Sequence, residues 1–214
     1  MLVPGSDVPL IPTDGWIDGA TNAAHIQGAV FGAADATSAM SLISDVSGSN
    51  ACIRGTAARV DMAAPTCVNR TFTPPATDCY GEFWGAELGL NLNQPIDPTP
   101  QTAGTPLPYN ASALRGFSFE LSGDTVPGPK DIRFQVENDN QTFCNPASKK
   151  LKVGSNTVLF SELVTECFRA QDPPAATAET AQSALIRLSW LVVTNTASST
   201  PYDFCVSNLR ALVK

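Results

Sequence analysis

The sequence predicts an all-β protein, a two-sheet antiparallel β-sandwich of the jelly-roll type that is stapled by disulfides. In residues 131–138, Ile132, Phe134 and Val136 alternate with polar side chains, as in a half-buried strand. Of the 214 residues, 43% are hydrophobic and 15% charged, enough for a core with few solvating charges. Clusters of Gly, Pro, Ser and Thr separate the strand-like segments. Strands with one apolar face need a second sheet to cover it.

Four strands are predicted in the first part of the chain. Residues 24–31 are apolar and compatible with a strand, although a glycine interrupts them. Residues 51–59 carry an early cysteine and an isoleucine. Residues 87–93 alternate leucine with glycine and asparagine, and residues 114–121 alternate phenylalanine and leucine with smaller or polar side chains. Both alternations predict strands with one buried face.

Four more strands are predicted after residue 130. Residues 132–137 contain the alternation described above, and residues 156–160 are short and apolar. Residues 186–194 alternate a leucine, a tryptophan and a valine with other side chains, which predicts that the tryptophan lies in the core. Residues 202–212 close the chain with a similar pattern.

The remaining segments predict two short helices and one domain. One helix is expected over residues 161–167, with Ser161 as its N-cap, and the other over the Ala-rich residues 178–185. No repeat at a fixed period is apparent, which excludes solenoids and propellers. We expect a single β-sandwich domain over residues 13–214, and a Pro-rich linker or tag remnant over residues 1–12.

The charge of the chain excludes several kinds of partner. Its net charge is −7 and its pI is near 4.6. Nucleic acid is therefore not expected, because phosphate binding needs clustered lysine and arginine. Membrane insertion is not expected either, because no segment reaches the roughly 20 apolar residues of a membrane-spanning helix. Neutral partners stay open, and we expect a monomer.

Six cysteines predict disulfides and an oxidising compartment. Their count is even, their spacing is wide and no C-x-x-C motif occurs, so disulfides are favoured over a zinc site. The alternative is a set of free buried thiols. The protein is then expected to be secreted or displayed on a cell surface. Of the fifteen possible pairings we expect Cys67 with Cys79, Cys144 with Cys167, and Cys52 with Cys205.

Four segments together resemble a known family. They are residues 114–123, 132–137, 188–195 and 202–209. Their order resembles the galactose-binding-domain-like jelly rolls, which include carbohydrate-binding modules of secreted bacterial polysaccharide-degrading enzymes. The last segment is similar to the closing Phe-Asp-Phe-x-Ile-Asp-Asn-Val strand of such modules, although Ser207 replaces the second aspartate. The resemblance implies a polysaccharide ligand and, often, a structural calcium ion.

The polar alternates of the predicted strands form a candidate binding surface. Seven outward positions are expected to converge: Asn91, Ser118, Glu120, Arg133, Gln135, Glu137 and Ser189. We expect Arg133, Gln135, Glu137 and Asn91 to hydrogen-bond a polysaccharide or oligosaccharide, since sugars need paired donors and acceptors. Trp84 or Tyr80 would stack on a sugar ring. The alternative is an ordinary solvated surface.

Acidic side chains suggest three further hypotheses. Asp14, Asp18 and Asp203 lie near the predicted first and last strands and could hold structural Ca²⁺, or else stabilise turns. A jelly-roll glycoside hydrolase or polysaccharide lyase would need paired carboxylates, for which Glu120 with Glu137 is the first candidate and Glu82 with Glu87 the second. A structural or adhesive cell-surface protein is the third class. The single histidine, His25, is expected to be structural.

Overall fold

The structure, a computed structural model, describes residues 2–43, 50–61, 83–98, 101–128, 131–146, 148–165 and 177–214. These residues contain fourteen strands: β1 (Asp7–Pro9), β2 (Trp16–Ile17), β3 (Gly28–Ala34), β4 (Ala39–Ile43), β5 (Ala51–Ala57), β6 (Gly85–Asn91), β7 (Ile96–Pro98), β8 (Gln101–Ala103), β9 (Leu114–Thr125), β10 (Ile132–Glu137), β11 (Thr142–Cys144), β12 (Gly154–Leu159), β13 (Arg187–Val193) and β14 (Thr200–Val213). Two 3-10 helices cover Phe160–Glu162 and Ala178–Ala184.

The strands form two antiparallel sheets that pack face to face. In the first sheet the order is β12-β9-β14-β5-β4, and β1 also pairs with β14. In the second sheet the order is β11-β10-β13-β6-β3-β2, and β7 and β8 form a separate hairpin. Each of the eight predicted strands overlaps an observed one. The two-sheet antiparallel sandwich predicted from the sequence is therefore confirmed.

An aromatic cluster joins the two sheets in the core. Phe119 of the first sheet stacks on Phe134 of the second, with ring centroids 5.4 Å apart. Trp190 meets both rings edge-on, at 5.1 Å and 5.6 Å. Phe117 contacts Phe134 at 6.1 Å and Phe160 at 5.8 Å. All five side chains are at most 2% exposed, so the prediction that Trp190 lies in the core is confirmed.

The linker expected over residues 1–12 is wrong for part of its length. Residues 7–9 form β1, which pairs with the last strand in the register Val8 to Ala211. Val8 is 7% exposed and Leu10 only 1%, and the Leu10 N–H donates to the Leu209 carbonyl at 2.8 Å. The prolines suggested a linker, but the segment is held by a strand about 200 positions later, a partner that local pattern cannot reveal.

The helix predicted over residues 178–185 is observed as a 3-10 helix, Ala178–Ala184. The helix predicted over residues 161–167 is reduced to one 3-10 turn, Phe160–Glu162, because Leu163 is already extended; residues 166–167 lie outside the described part of the chain. Ser161 does not cap this turn. The N-cap is Leu159, whose N–H donates to the Glu162 carboxylate at 3.2 Å. Glu162 also forms an ion pair with Lys149, so this acidic side chain fixes both the turn and the segment before β12.

One predicted disulfide is confirmed. Cys52 and Cys205 are bonded and lie directly opposite each other on β5 and β14. The bond closes a sequence separation of 153 residues. Cys144 is also disulfide-bonded. Cys67, Cys79 and Cys167 lie outside the described residues, so their pairing stays a prediction.

Candidate functional site

We call the side of the second sheet that faces away from the first sheet the outer face. Its side chains are those that alternate with the buried ones, because successive residues of a strand point to opposite sides. The strand register aligns them in three rows across β10, β13, β6 and β3: Glu137, Arg187 and Asn91; then Gln135, Ser189, Gly89 and Phe31; then Arg133, Leu191, Glu87 and Ala33.

Five of the seven predicted polar positions share the outer face. Arg133, Gln135 and Glu137 come from β10, Ser189 from β13 and Asn91 from β6. Neighbouring strands lie about 4.8 Å apart, so these five positions are contiguous on one side of the sheet.

The other two positions belong elsewhere. Ser118 and Glu120 lie on β9, in the first sheet, and point away from the core on the opposite side of the sandwich. Alternation shows that a side chain points outward, but a sandwich has two outward sides.

Two carboxylates on the outer face are partly withdrawn from water. Arg187 Nε lies 3.1 Å from Glu137 Oε2, and their side chains are 40% and 21% exposed. Burial raises the pKa of Glu137, and Arg187 opposes the rise. Burial also raises the pKa of Glu87, the charge of Glu137 raises it further, and Ser189 and Arg187 lower it in part. The charge of Glu137 therefore acts on Glu87 across the outer face.

Polar atoms beneath this surface lack well-formed hydrogen bonds. Ser189 is fully buried although it belongs to the outer face. Its hydroxyl is close enough to Glu87 to lower the pKa of that carboxyl, but no hydrogen bond of normal geometry joins them. Arg187 Nε is likewise within ion-pair distance of Glu137 without an aligned hydrogen bond. Two buried polar groups beneath the outer face are thus left without an aligned hydrogen-bond partner.

Phe31 places an aromatic ring on the same face. It lies directly opposite Gly89, and its ring fills the space that any Cβ at Gly89 would need. The ring is half-buried and continues the row that begins with Gln135 and Ser189. Sequence reasoning missed Phe31, because residues 28–34 are apolar or small at every position and give no alternation. The sequence did contain one signal for Phe31: Gly89, at an outward position of the neighbouring β6, leaves room for a large side chain opposite it.

Of the two predicted stacking residues, only Trp84 lies within the described part of the chain. Trp84 is half-buried and precedes β6, at the end of that strand remote from Asn91. Trp84 is seven positions, or about 23 Å of extended chain, from Asn91, but only three positions from Glu87 in the third row. Tyr80 lies outside the described residues. Trp16 also belongs to the outer face, since it pairs with Ala29 at the β2 edge of the sheet.

The Asn91 side chain is buried and hydrogen-bonded within the protein, so it supports the outer face and offers no free amide to a ligand. It is 8% exposed, and its amide donates to Gln94 Oε1 at 3.0 Å. The same oxygen accepts the Ala29 N–H at 3.0 Å, and the Gln94 amide donates to the Gly104 carbonyl at 2.8 Å. Asn91 therefore anchors the corner where β3, β6 and the segment after β8 meet.

A polar depression continues the first row. It has a volume of about 350 Å³ and is lined by Glu137, Arg187, Ile186 and residues 138–142. Asn138 fixes the turn beneath it, because its side-chain oxygen accepts the N–H groups of Asn140 at 2.9 Å and Gln141 at 2.7 Å. This volume is within the range of small-ligand pockets.

The three aspartates proposed for calcium do not form a common site. Asp14 and Asp18 flank β2 in the second sheet, and Asp203 lies on β14 in the first. Asp18 stabilises a turn, since its carboxylate accepts the Ala20 N–H at 2.8 Å. In the described part of the chain, no three His, Cys, Asp or Glu side chains cluster as metal ligands.

The first predicted catalytic pair is wrong. Glu120 and Glu137 lie on opposite outer sides of the sandwich, and sheets alone pack about 10 Å apart, so they cannot flank one glycosidic bond. Glu82 lies outside the described residues, and its pairing with Glu87 stays a prediction. His25 lies in a turn with φ +54°, and its Nδ1 is 3.3 Å from the Gly19 carbonyl oxygen.

Comparison with known proteins gives structural matches only. No family model and no curated protein matches the chain. A family 11 carbohydrate-binding module from Clostridium thermocellum, in complex with a β-1,3-1,4-mixed-linked tetrasaccharide, matches with 9% identity and a TM-score of 0.49, over 99% of this chain and 98% of that one. The family 11 module of the cellulosomal cellulase Lic26A-Cel5E of the same organism matches with 10% identity and a TM-score of 0.44, over 87% and 88%.

A third match is SGBP-B from a complex xyloglucan utilization locus in Bacteroides uniformis. Its identity is 14% and its TM-score 0.40, over 87% of this chain and 47% of that one. The first two matches are modules of the class that the sequence resembles. At this level of similarity the ligands of those proteins do not transfer to this chain.

Within the described residues, no helix has the length and apolarity needed to cross a bilayer.

Proposed function

We propose that the protein binds a polysaccharide through the outer face of the second sheet, without cleaving it. The observation that carries the proposal is one continuous surface with charged and amide side chains at one end and the Phe31 ring at the other. Sugars present hydroxyls that both donate and accept hydrogen bonds, and their C–H faces pack on aromatic rings. A face that combines both features suits such a ligand.

The charges of the outer face favour a neutral glycan. Two guanidinium groups, Arg133 and Arg187, lie among two carboxylates, Glu87 and Glu137. The formal charges cancel, so neither a polyanion nor a polycation gains strongly from this surface. Gln135 and Ser189 lie between them in the middle row. The half-buried carboxylates accept hydrogen bonds from sugar hydroxyls, and the ion pair with Arg187 holds the Glu137 carboxylate in position.

We place this binding outside the cell. The Cys52–Cys205 bond supports an oxidising compartment, because disulfides are rare where glutathione keeps thiols reduced. The role we infer is to hold an attached enzyme or a cell surface close to its polysaccharide, and we expect the protein to act as a monomer.

Affinity electrophoresis against neutral polysaccharides (mixed-linkage β-glucan, xyloglucan, xylan and mannan) tests the proposal. We expect at least one glycan to retard the wild-type protein, and Gln135→Ala and Phe31→Ala each to weaken that retardation. The matched control is Glu120→Gln, which alters the outward side of the first sheet. Thermal unfolding of each variant confirms that it folds.

No retardation by any of these glycans, or equal retardation of the Gln135→Ala variant and wild type, would exclude the outer face as the binding surface. A reducing-end assay on the retarding glycan distinguishes binding from cleavage. We expect no new reducing ends.

A further inference from the structure

The lysines of this acidic chain are concentrated in one place. Three of its five lysines, Lys149, Lys150 and Lys152, occur within four residues, although the net charge is −7. We call residues 149–152 the lysine loop. It lies between β11, an edge strand of the second sheet, and β12, an edge strand of the first. None of its residues belongs to the outer face.

Buried side chains hold the lysine loop in a fixed shape. Asn145 is 5% exposed and its amide donates to the Lys149 carbonyl at 2.7 Å. Asn156 is 8% exposed; its oxygen accepts the Lys152 N–H at 2.9 Å and its amide donates to the Lys152 carbonyl at 2.8 Å. Leu151 inserts into the core and is 3% exposed. Because the backbone is already ordered, a ligand needs little further ordering of the loop.

The lysine loop borders a depression of about 390 Å³, which we call the lysine pocket. Its lining also includes Ser155, Thr157 and Glu162. Glu162 is the one carboxylate among the described lining residues, and it is engaged by Lys149. Three lysines and one glutamate give the lining a formal charge of +3 − 1 = +2.

Two hydroxyls add polar contacts to these charges. Thr157 and Ser155 alternate with the buried Asn156 and Val158, so both point away from the core. Ser155 also donates to Glu120 at 3.4 Å, a carboxylate that accepts a second hydrogen bond from Asn208 at 2.9 Å. The lysine pocket thus combines ammonium groups with hydroxyls on a rigid frame.

We propose that the lysine pocket binds an anionic group of an acidic polysaccharide, either the carboxylate of a uronic acid residue or a sulfate ester. Ammonium groups form charge-assisted hydrogen bonds with such oxyanions, and the neighbouring hydroxyls suit the rest of the sugar ring. That the anion belongs to a glycan rests on the proposed function. The pocket and its charge do not, and its residues are separate from those of the outer face.

A pair of double variants with equal charge tests this site. Lys150→Gln/Lys152→Gln removes two cations from the lysine pocket. Arg54→Gln/Arg59→Gln removes two exposed cations from β5 and the segment after it, three strands away from β12 in the first sheet. Both variants carry the same net charge, so a general effect of charge is identical in the two. Calorimetry with polygalacturonate and with dextran sulfate separates the carboxylate from the sulfate ester.

We expect the lysine variant to bind at least one polyanion about 5- to 30-fold more weakly than wild type at low ionic strength, from about 1–2 kcal/mol for two exposed ionic contacts. The arginine variant should stay within about twofold of wild type. The difference between the lysine variant and wild type should shrink in high salt, because exposed charges are screened.

Equal losses in the two double variants would overturn the proposal, since only net charge would then matter. Failure of the wild-type protein to bind either polyanion would also overturn it. Binding of neutral glycans reports on the outer face separately: it should be unchanged in the lysine variant and reduced in Gln135→Ala. Failure of the two proposals is therefore distinguishable.

Discussion

Asp35 lies in the turn between β3 and β4, and its buried carboxylate connects this turn to the first residue of β6. Replacing it by asparagine tests how much this connection contributes to stability. Asp35 is 6% exposed. Its Oδ1 accepts the N–H and the hydroxyl of Thr37 and the N–H of Ser38, each at 2.8 Å. Its Oδ2 accepts the Gly85 N–H at 2.6 Å. Gly85 begins β6, so this last bond links two strands across 50 residues of sequence.

Asparagine can keep the three bonds to one oxygen, but its amide then points at the Gly85 N–H, donor against donor. A hydrogen bond to a charged group contributes about 1.5–3 kcal/mol, and a buried unpaired N–H costs about 1–3 kcal/mol. These two effects overlap, so we expect Asp35→Asn to lower the free energy of unfolding by about 2–4 kcal/mol. For a chain of this length, the melting temperature should fall by roughly 4–9 °C.

Denaturant and thermal unfolding at pH 7, followed by circular dichroism, measure this change. The matched control is Asp18→Asn, which makes the same substitution at an exposed turn where the carboxylate accepts the Ala20 N–H. We expect the control to cost less than about 1 kcal/mol. Equal stability of the Asp35→Asn and Asp18→Asn variants at pH 7 would refute the reasoning.

The pH dependence gives an independent check. Burial alone would raise the pKa of Asp35, but the hydrogen bonds from Thr37, Gly85 and Ser38 outweigh it and lower the pKa below its ordinary 3.8. A lowered pKa means that the carboxylate stabilises the fold above its unfolded pKa, and that this stabilisation is lost as the pH falls through the folded pKa. The difference between wild type and Asp35→Asn should therefore be full at pH 7 and shrink in acid. A difference that stays constant down to pH 3 would contradict this assignment.

Three further outcomes are expected. Cys52→Ala/Cys205→Ala should lower the free energy of unfolding by about 2–5 kcal/mol in denaturant titration, because the bond closes a separation of 153 residues; a loss below about 1 kcal/mol would contradict the loop-entropy argument. Glu87→Gln should raise stability at pH 7, because burial and the charge of Glu137 raise the pKa of Glu87, so that its ionised form is unfavourable in the folded state. The gain in stability should vanish below about pH 4.5, and no gain at pH 7 would contradict the burial of Glu87. Burial raises the pKa values of Tyr109 and Tyr202 to about 12, so ultraviolet difference titration should show two late phenols, of which Tyr109→Phe removes one. Stability should fall as the pH rises from about 10 towards 12, and it should fall less in the Tyr109→Phe variant.

Strand positions were predictable from alternation, and strand partners were not. Residues 132–137 match β10 residue for residue, since every inward position is apolar and every outward one polar. β4 and β1 were missed because their residues acquire a partner only through tertiary pairing, with β5 and β14 respectively. Local pattern reports which side of a strand is buried, but it carries no information on which strand lies beside it.

The candidate site was predictable to the same extent as the strands: their outward side chains could be predicted, but not which of them lie on the same sheet. Alternation placed Arg133, Gln135 and Glu137 outward, and strand register joins them to Ser189. It could not separate them from Glu120, because both outward sides of a sandwich follow the same period. Arg187 and Glu87 became significant only when the register set them beside Glu137, where burial and charge change their chemistry.

The half-buried carboxylates of the outer face allow a further test of the proposed binding surface. Raised pKa values mean that Glu87 and Glu137 oppose folding in their ionised forms at neutral pH. A face that only needs to be soluble would place such groups in full contact with water, where they cost nothing. Functional surfaces commonly retain groups that reduce stability, because the same groups bind the ligand. If Glu87→Gln stabilises the fold while weakening retardation by the glycan, stability and binding are opposed at this residue; a variant that gains stability and binds as well as wild type would show that Glu87 serves no ligand.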